Sequence, residues 1–143
     1  MNFVTFDEIV RINRRHLESA GQPFQPPHNL KGRGSLEWVL EAIRYPLYGQ
    51  QLYPTFAQKA AQLTWVIIRG HVFWDGCKRT GMAVLDYFVR LNHMRLTATD
   101  DEIVDVALRI AQANDFTYED LVGWIEQHCV PPQSTGAQDS SST

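Results

Sequence analysis

The stretch His71-Val72-Phe73-Trp74-Asp75-Gly76-Cys77-Lys78-Arg79-Thr80-Gly81 places a histidine, an acid, a glycine and two adjacent cations within nine residues. A helical apolar pattern runs up to it: Ala57, Ala60, Ala61, Leu63, Thr64, Ile67 and Ile68. Another leads away: Met82, Ala83, Val84, Leu85, Tyr87, Phe88, Val89 and Leu91. The first pattern opens on a capping box, Thr55 to Gln58, and runs to about Arg69. The second spans about Cys77 to Asn92 and is apolar most of the way round, which predicts a central, buried helix. Gly70 to Gly76 is then a loop between two helices, with Phe73 packed inward.

Further from the loop, Thr5 to Glu8 is a second capping box, followed by Ile9, Val10, Ile12 and Leu17, with Gly21 as a stop. Gln22 to Gly34 reads as a Pro- and Gly-rich loop. Ser35 is the expected cap of a helix carrying Leu36, Val39, Leu40 and Ile43 that ends near Tyr45-Pro46. Tyr45 to Pro54 reads either as a hairpin-like flap turning at Gly49 or as a plain connection. Thr99 with Glu102 and Thr117 with Asp120 start two more helices. The expected fold is all-α: one domain over residues 1–130, about six helices with a small β-hairpin flap, and a disordered tail over 131–143.

Composition narrows the function. The chain has 143 residues, 44% of them hydrophobic, with a mean hydropathy of −0.27. That describes a water-soluble globular protein. No apolar run is long enough for a membrane span, and the N-terminus lacks the pattern of a signal peptide. Two cysteines, Cys77 and Cys129, do not make a disulfide framework and suit a reducing cytoplasm. The formal charge of −3 argues against general attraction to nucleic acid or anionic lipid. Phosphate chemistry here therefore depends on local cations.

The loop supplies them. The first amides of a helix lack internal partners and, with the helix dipole, attract anions. Gly76 lets a phosphate approach the backbone, and Lys78 and Arg79 add charge, the guanidinium in a two-pronged geometry. Asp75 is a candidate ligand for Mg²⁺, which takes one or two carboxylates together with phosphate and water. His71 is a candidate general base for a hydroxyl nucleophile. Singly, each has an ordinary structural reading: a packed histidine, a solvated Lys-Arg pair, an Asp-Gly turn. Their joint occurrence between two helices is far more specific.

The pattern His-x-Phe-x-Asp-Gly-x-Lys-Arg-Thr-Gly resembles the signature of the Fic/Doc superfamily, in its death-on-curing (Doc) branch. Gly49-Gln50-Gln51-Leu52-Tyr53-Pro54-Thr55, Lys59-Ala60-Ala61 and Leu36 to Pro46 resemble the segments that precede that signature. The resemblance implies a helical Fic fold with a flap over the active site, and transfer of part of a nucleotide to a protein hydroxyl. It implies that His71 takes the hydroxyl proton, Asp75 binds Mg²⁺ and Lys78 and Arg79 bind the phosphates of ATP. Gly76 and Cys77 would line the anion hole with their backbone. The flap, Tyr48, Gly49, Gln50, Gln51, Leu52 and Tyr53, would align a target segment as an added strand.

Two positions select the branch. AMP-transferring Fic proteins usually carry Gly where this chain has Lys78 and a second Arg where it has Met82. Both departures resemble Doc, a toxin that phosphorylates a threonine of translation elongation factor EF-Tu and is held in check by an antitoxin. Alternatives of the same resemblance are a protein AMP-transferase and a catalytically degenerate binding module. Cys77 replaces the usual Asn, a stronger hydrogen-bonding side chain. Three consequences are open: a backbone-dominated site of reduced activity, a degenerate site, or a reactive thiol with its pKa lowered by the helix N-terminus and neighbouring cations. The inhibitory pattern of self-restrained Fic proteins (Ser or Thr, three residues, Glu, then Gly or Asn) does not occur, which implies restraint by a partner in trans. The remaining histidines show no zinc-like spacing. Trp38, Trp65 and Trp124 fall on helices and are expected in the core, and Arg11, Arg14 and Arg15 form a solvated basic face.

Overall fold

A computed structural model describes residues 1–131; the expected C-terminal tail lies outside the described residues from residue 132 onward. Six helices form: α1 (Phe6–Ser19), α2 (Arg33–Arg44), α3 (Phe56–Arg69), α4 (Cys77–Leu91), α5 (Asp100–Gln112) and α6 (Tyr118–His128). Four of them, α1, α3, α5 and α6, begin at the capping boxes legible in the sequence, with Thr5, Thr55, Thr99 and Thr117 as caps. The reciprocal bonds satisfy amides the helix itself cannot.

Helix α2 departs from expectation. It starts at Arg33 with Gly32 at its cap, without a side-chain cap bond, and Ser35 lies inside its first turn. The cause is tertiary: Lys31 and Gly32 donate their amides to the Val72 carbonyl at 2.8 and 2.9 Å, which fixes where the helix begins.

Helices α3 and α4 form the centre. Helix α3 packs against α2, α4, α5 and α6, and α4 against α1, α3 and α5. Gly81 makes the close approach of α3 and α4 feasible, because a Cβ there would collide with Ile68. Phe73, Val84, Leu85, Phe88, Ile67 and Leu63 fill the contact, each at most 1% exposed. A two-stranded antiparallel sheet, β1 (Arg95–Leu96) and β2 (Cys129–Val130), ties the end of α4 to the end of α6. The sequence gives no sign of it, since two-residue strands carry no readable alternation.

The flap is a tight hairpin at its tip. Leu47 and Gln50 exchange both backbone hydrogen bonds, at 2.8 and 2.9 Å, around a turn in which Tyr48 and Gly49 have φ of 50° and 79°. Two positive φ values are what a two-residue hairpin turn of the right twist requires. Its base is pinned by Lys59, buried at 5% exposure, whose Nζ donates to the Tyr53 carbonyl and to Gln51 Oε1.

Trp38 is not in the core. It is 53% exposed, because α2 buries the stripe Leu36, Val39 and Ile43 and places Trp38 on the opposite side. Trp65 is half-buried and stacks on Phe116, and Trp124 is half-buried against His128.

Candidate active site

Helix α3 ends in a specific capping geometry that delivers His71. The His71 amide bonds back to the Ile68 carbonyl and the Val72 amide to the Ile67 carbonyl, both at 3.2 Å. This paired pattern is the Schellman motif, and it forces the residue after the cap into the left-handed region, where glycine is usual. Here that residue is His71, with φ of 52°. Val72 and Phe73 then turn inward with no exposure, so the neighbouring imidazole stays at the surface. Helix α4 ends the same way on His93, φ 61°, and α1 on Gly21, φ 68°.

Beyond Phe73 the chain swings back to the surface at Trp74 and Asp75 and enters α4 through Gly76, whose φ is 81°. A Cβ on Gly76 would come within 3.2 Å of Asn13 Nδ2 and 3.3 Å of Leu17 Cδ2, so glycine answers both the backbone and the space. Unlike the capping-box helices, α4 has no side-chain cap, leaving its opening amides without the usual internal partner.

The result is a cleft of about 290 Å³ lined by His71, Trp74, Asp75, Gly76, Cys77, Lys78 and Arg79, with His16, Leu17, Gln22, Ile68 and Ala111 completing the wall. The structure thus gathers every loop residue singled out from the sequence into one concavity. Within it, the Gly76 amide donates to Asp75 Oδ1 at 2.8 Å. The carboxylate of Asp75 therefore occupies one donor of the expected anion hole. Trp74 is 53% exposed, and Lys31 Nζ lies 5.6 Å from its ring centroid, although Lys31 does not itself line the cleft. Such a contact is of cation–π type.

The flap residues Tyr48 to Tyr53 do not line this cleft. Tyr48, at the turn, is 96% exposed, and Leu52 is 42% exposed.

Cys77 corrects one sequence reading. The thiol is 6% exposed and donates to the Phe73 carbonyl at 3.2 Å. Burial pushes its pKa up, outweighing the nearby Lys78 charge. Of the three readings of Cys77, the reactive thiol is the one this burial opposes, because desolvation of a thiolate outweighs the attraction of Lys78 and Lys31.

Sequence reasoning passed over His16. It sits on α1, between the cleft and a second, apolar groove of about 420 Å³ lined by Met82, Ala83, Ile103, Val104, Ala107 and Leu108. Lys78, Arg79 and Asp86 are the charged residues that line that groove. Burial, with the charges of Arg79 and Arg15, pushes the His16 pKa down. Nothing in the local sequence marks His16; only the docking of α1 on α4 brings it here. Among the described residues no group of three or more His, Cys, Asp or Glu side chains could cage a metal ion.

Comparison with known proteins places the chain in a family. The sequence profile described as "Fic/DOC family" matches residues 3–89, which includes the whole loop and most of α4. A curated relative named "Toxin Doc", from Mycolicibacterium smegmatis, is 30% identical over 91 residues, covering 63% of this chain and 70% of the relative. On the profile, the relative and the loop–helix architecture together, this chain belongs to the Fic/DOC family.

Proposed function

We propose that this protein is a Doc-like toxin that transfers the γ-phosphoryl group of ATP to a hydroxyl of a target protein. The observation that carries the reading is the joining of His71, Asp75 and the Gly76–Arg79 turn in one cleft, while Met82 faces apolar neighbours. The second phosphate-binding arginine of AMP-transferring relatives has no counterpart at Met82, which favours phosphoryl over nucleotidyl transfer.

The chain's own groups divide the work. His71 receives the proton of the attacking hydroxyl, which then bonds to the γ-phosphorus as the bond to the leaving ADP oxygen breaks. Lys78 and Arg79, with the opening amides of α4, hold phosphate oxygens and stabilise their charge. Asp75 fits Mg²⁺: it is a single exposed carboxylate beside phosphate-binding cations, and that ion is commonly held by one or two carboxylates with phosphates and water. Bound there, Mg²⁺ would neutralise charge on the phosphate oxygens. The flap, Tyr48 to Tyr53, offers a hairpin edge to which a target segment can add as a strand.

A threonine of EF-Tu is the proposed acceptor, with arrest of translation in the cytoplasm as the outcome. The apolar groove between α4 and α5, with Lys78, Arg79 and Asp86 as its charged lining, suits a segment of an antitoxin supplied in trans. Purified protein incubated with EF-Tu and ATP carrying label at either the γ- or the α-phosphate tests the reading. Label from the γ-position on EF-Tu, lost in His71→Ala, is expected. Label from the α-position would instead make the protein an AMP-transferase, and growth arrest that survives His71→Ala without any label would make it a binding module.

A further inference from the structure

A fully buried polar cluster lies directly beneath the turn that opens α4. Asn13, Asn29 and Thr80 are each at most 1% exposed, on α1, on the 22–32 loop and on α4. Asn13 Nδ2 donates to the Asp75 carbonyl and to Thr80 Oγ1, both at 3.0 Å. Asn29 Nδ2 donates to Asn13 Oδ1 at 2.9 Å and, at 3.4 Å, to the same Asp75 carbonyl. Asn29 also holds the neighbouring main chain, since its own carbonyl accepts from the Trp74 amide at 3.0 Å. Its φ of 58° is a left-handed conformation that Asn tolerates better than most residues.

The geometry acts through one peptide plane. In a trans peptide the carbonyl oxygen and the following amide hydrogen point in opposite directions. Two carboxamides drawing the Asp75 carbonyl into the interior therefore turn the Gly76 amide outward, to the cleft side, where it donates to Asp75 Oδ1 at 2.8 Å, the bond a phosphate oxygen would replace. Carbonyl groups that accept hydrogen bonds also polarise the amide joined to them. An apolar core would have held the loop as well, without the desolvation cost of two amides. Their expenditure at this point, 62 residues from Asn13 in sequence, is matched by what they orient.

We propose that Asn13 and Asn29 are positioning residues of the transfer reaction, which aim the Gly76 amide at the phosphate through the Asp75 carbonyl. The inference rests on the reading of the cleft as a phosphoryl-transfer site. It assigns a catalytic consequence to two residues that touch neither nucleotide nor target.

The test follows the Gly76 amide signal of ¹⁵N-labelled protein during titration with ADP and Mg²⁺, beside the rate of transfer to EF-Tu. Three variants are compared with the parent: Asn13→Leu; Asn29→Gly, which suits the positive φ; and Thr80→Val, which keeps the shape but removes an acceptor. Folding is checked by circular dichroism. In the parent, the Gly76 signal is expected to shift with ADP. In folded Asn13→Leu and Asn29→Gly, that shift should shrink while Lys78 and Arg79 signals still respond. There kcat should fall at least about tenfold, with KM for ATP changed less than about threefold. A Gly76 response undiminished in the folded variants overturns the proposal even if their activity falls, because the network is then only structural. A parent Gly76 that ignores ADP overturns it whether or not any variant folds. A parent that shifts at Gly76 but transfers nothing overturns the function above and with it the catalytic consequence; the aiming of the Gly76 amide is then upheld if the shift shrinks in the folded variants and overturned if it does not.

Discussion

The Cys77 thiol donates to the Phe73 carbonyl four residues earlier, and the bond joins the first residue of α4 to the buried anchor of the loop. Asparagine at 77 could keep that bond through its amide nitrogen and present its oxygen to the cleft. Cys77→Asn is therefore expected to raise the rate of phosphoryl transfer; an unchanged rate would count against a backbone-dominated site whose activity is reduced by the missing carboxamide. In the native parent, Cys77 should resist iodoacetamide near neutral pH and react readily once unfolded, as peptide mass spectrometry would reveal.

His71 occupies a position where glycine would be more comfortable, which separates its stability from its chemistry. The left-handed region costs a non-glycine residue about 1–2 kcal/mol, partly offset by the extra unfolded-state freedom of glycine. His71→Gly should raise stability by about 0.5 kcal/mol while lowering transfer at least about 100-fold. His93→Gly, at the equivalent place after α4, should match the stability gain and leave transfer intact. Thermal melts and initial rates on both variants check this, and equal rates in the two would remove His71 from the mechanism.

Tyr48 presents the same conflict at the flap. A bulky aromatic holds the first turn position at φ 50° and is 96% exposed, although Asn-Gly is the favoured pair for such a turn. Tyr48→Asn should raise the melting temperature by about 1–3 °C. If the tyrosine contacts the target, the same variant raises KM for EF-Tu without changing KM for ATP. A proportionate change in both would place the flap outside target docking.

Tyr118 gives a pH signature on the far side of α3. Its hydroxyl donates to the Gln58 carbonyl at 3.1 Å and its ring meets Tyr53 edge-on. Burial first, then the charges of Tyr53 and Glu119, push its pKa from 10.0 up to about 12. A raised folded pKa means a stabilising contribution complete below pH 10 and lost as pH climbs through about 12. Urea midpoints should fall more steeply over that window in the parent than in Tyr118→Phe. Parallel slopes would show that Tyr118 titrates as freely folded as unfolded.

Much of the fold was legible because its signals are local. A capping box lies within four residues, and the apolar stripes of α3 and α4 repeat at the helical period, so five of the six helix starts follow from neighbours in sequence. The start of α2 does not, because it is set by the Val72 carbonyl, 40 residues from Gly32. The exposure of Trp38 was within reach, since the stripe Leu36–Val39–Ile43 already assigned it to the outer face.

The candidate site divides along the same line. Loop chemistry sits in nine consecutive residues, so the sequence by itself determined which groups could serve: His71, Asp75 and the Gly76–Arg79 turn. Only the tertiary structure decided how they are held. His16 and the Asn13–Asn29 cluster come from segments that meet α4 only when α1 and the 22–32 loop dock on it. The fate of Cys77 was likewise tertiary, because a thiol's ionisation follows its burial, and burial is a property of neighbours brought in from elsewhere in the chain.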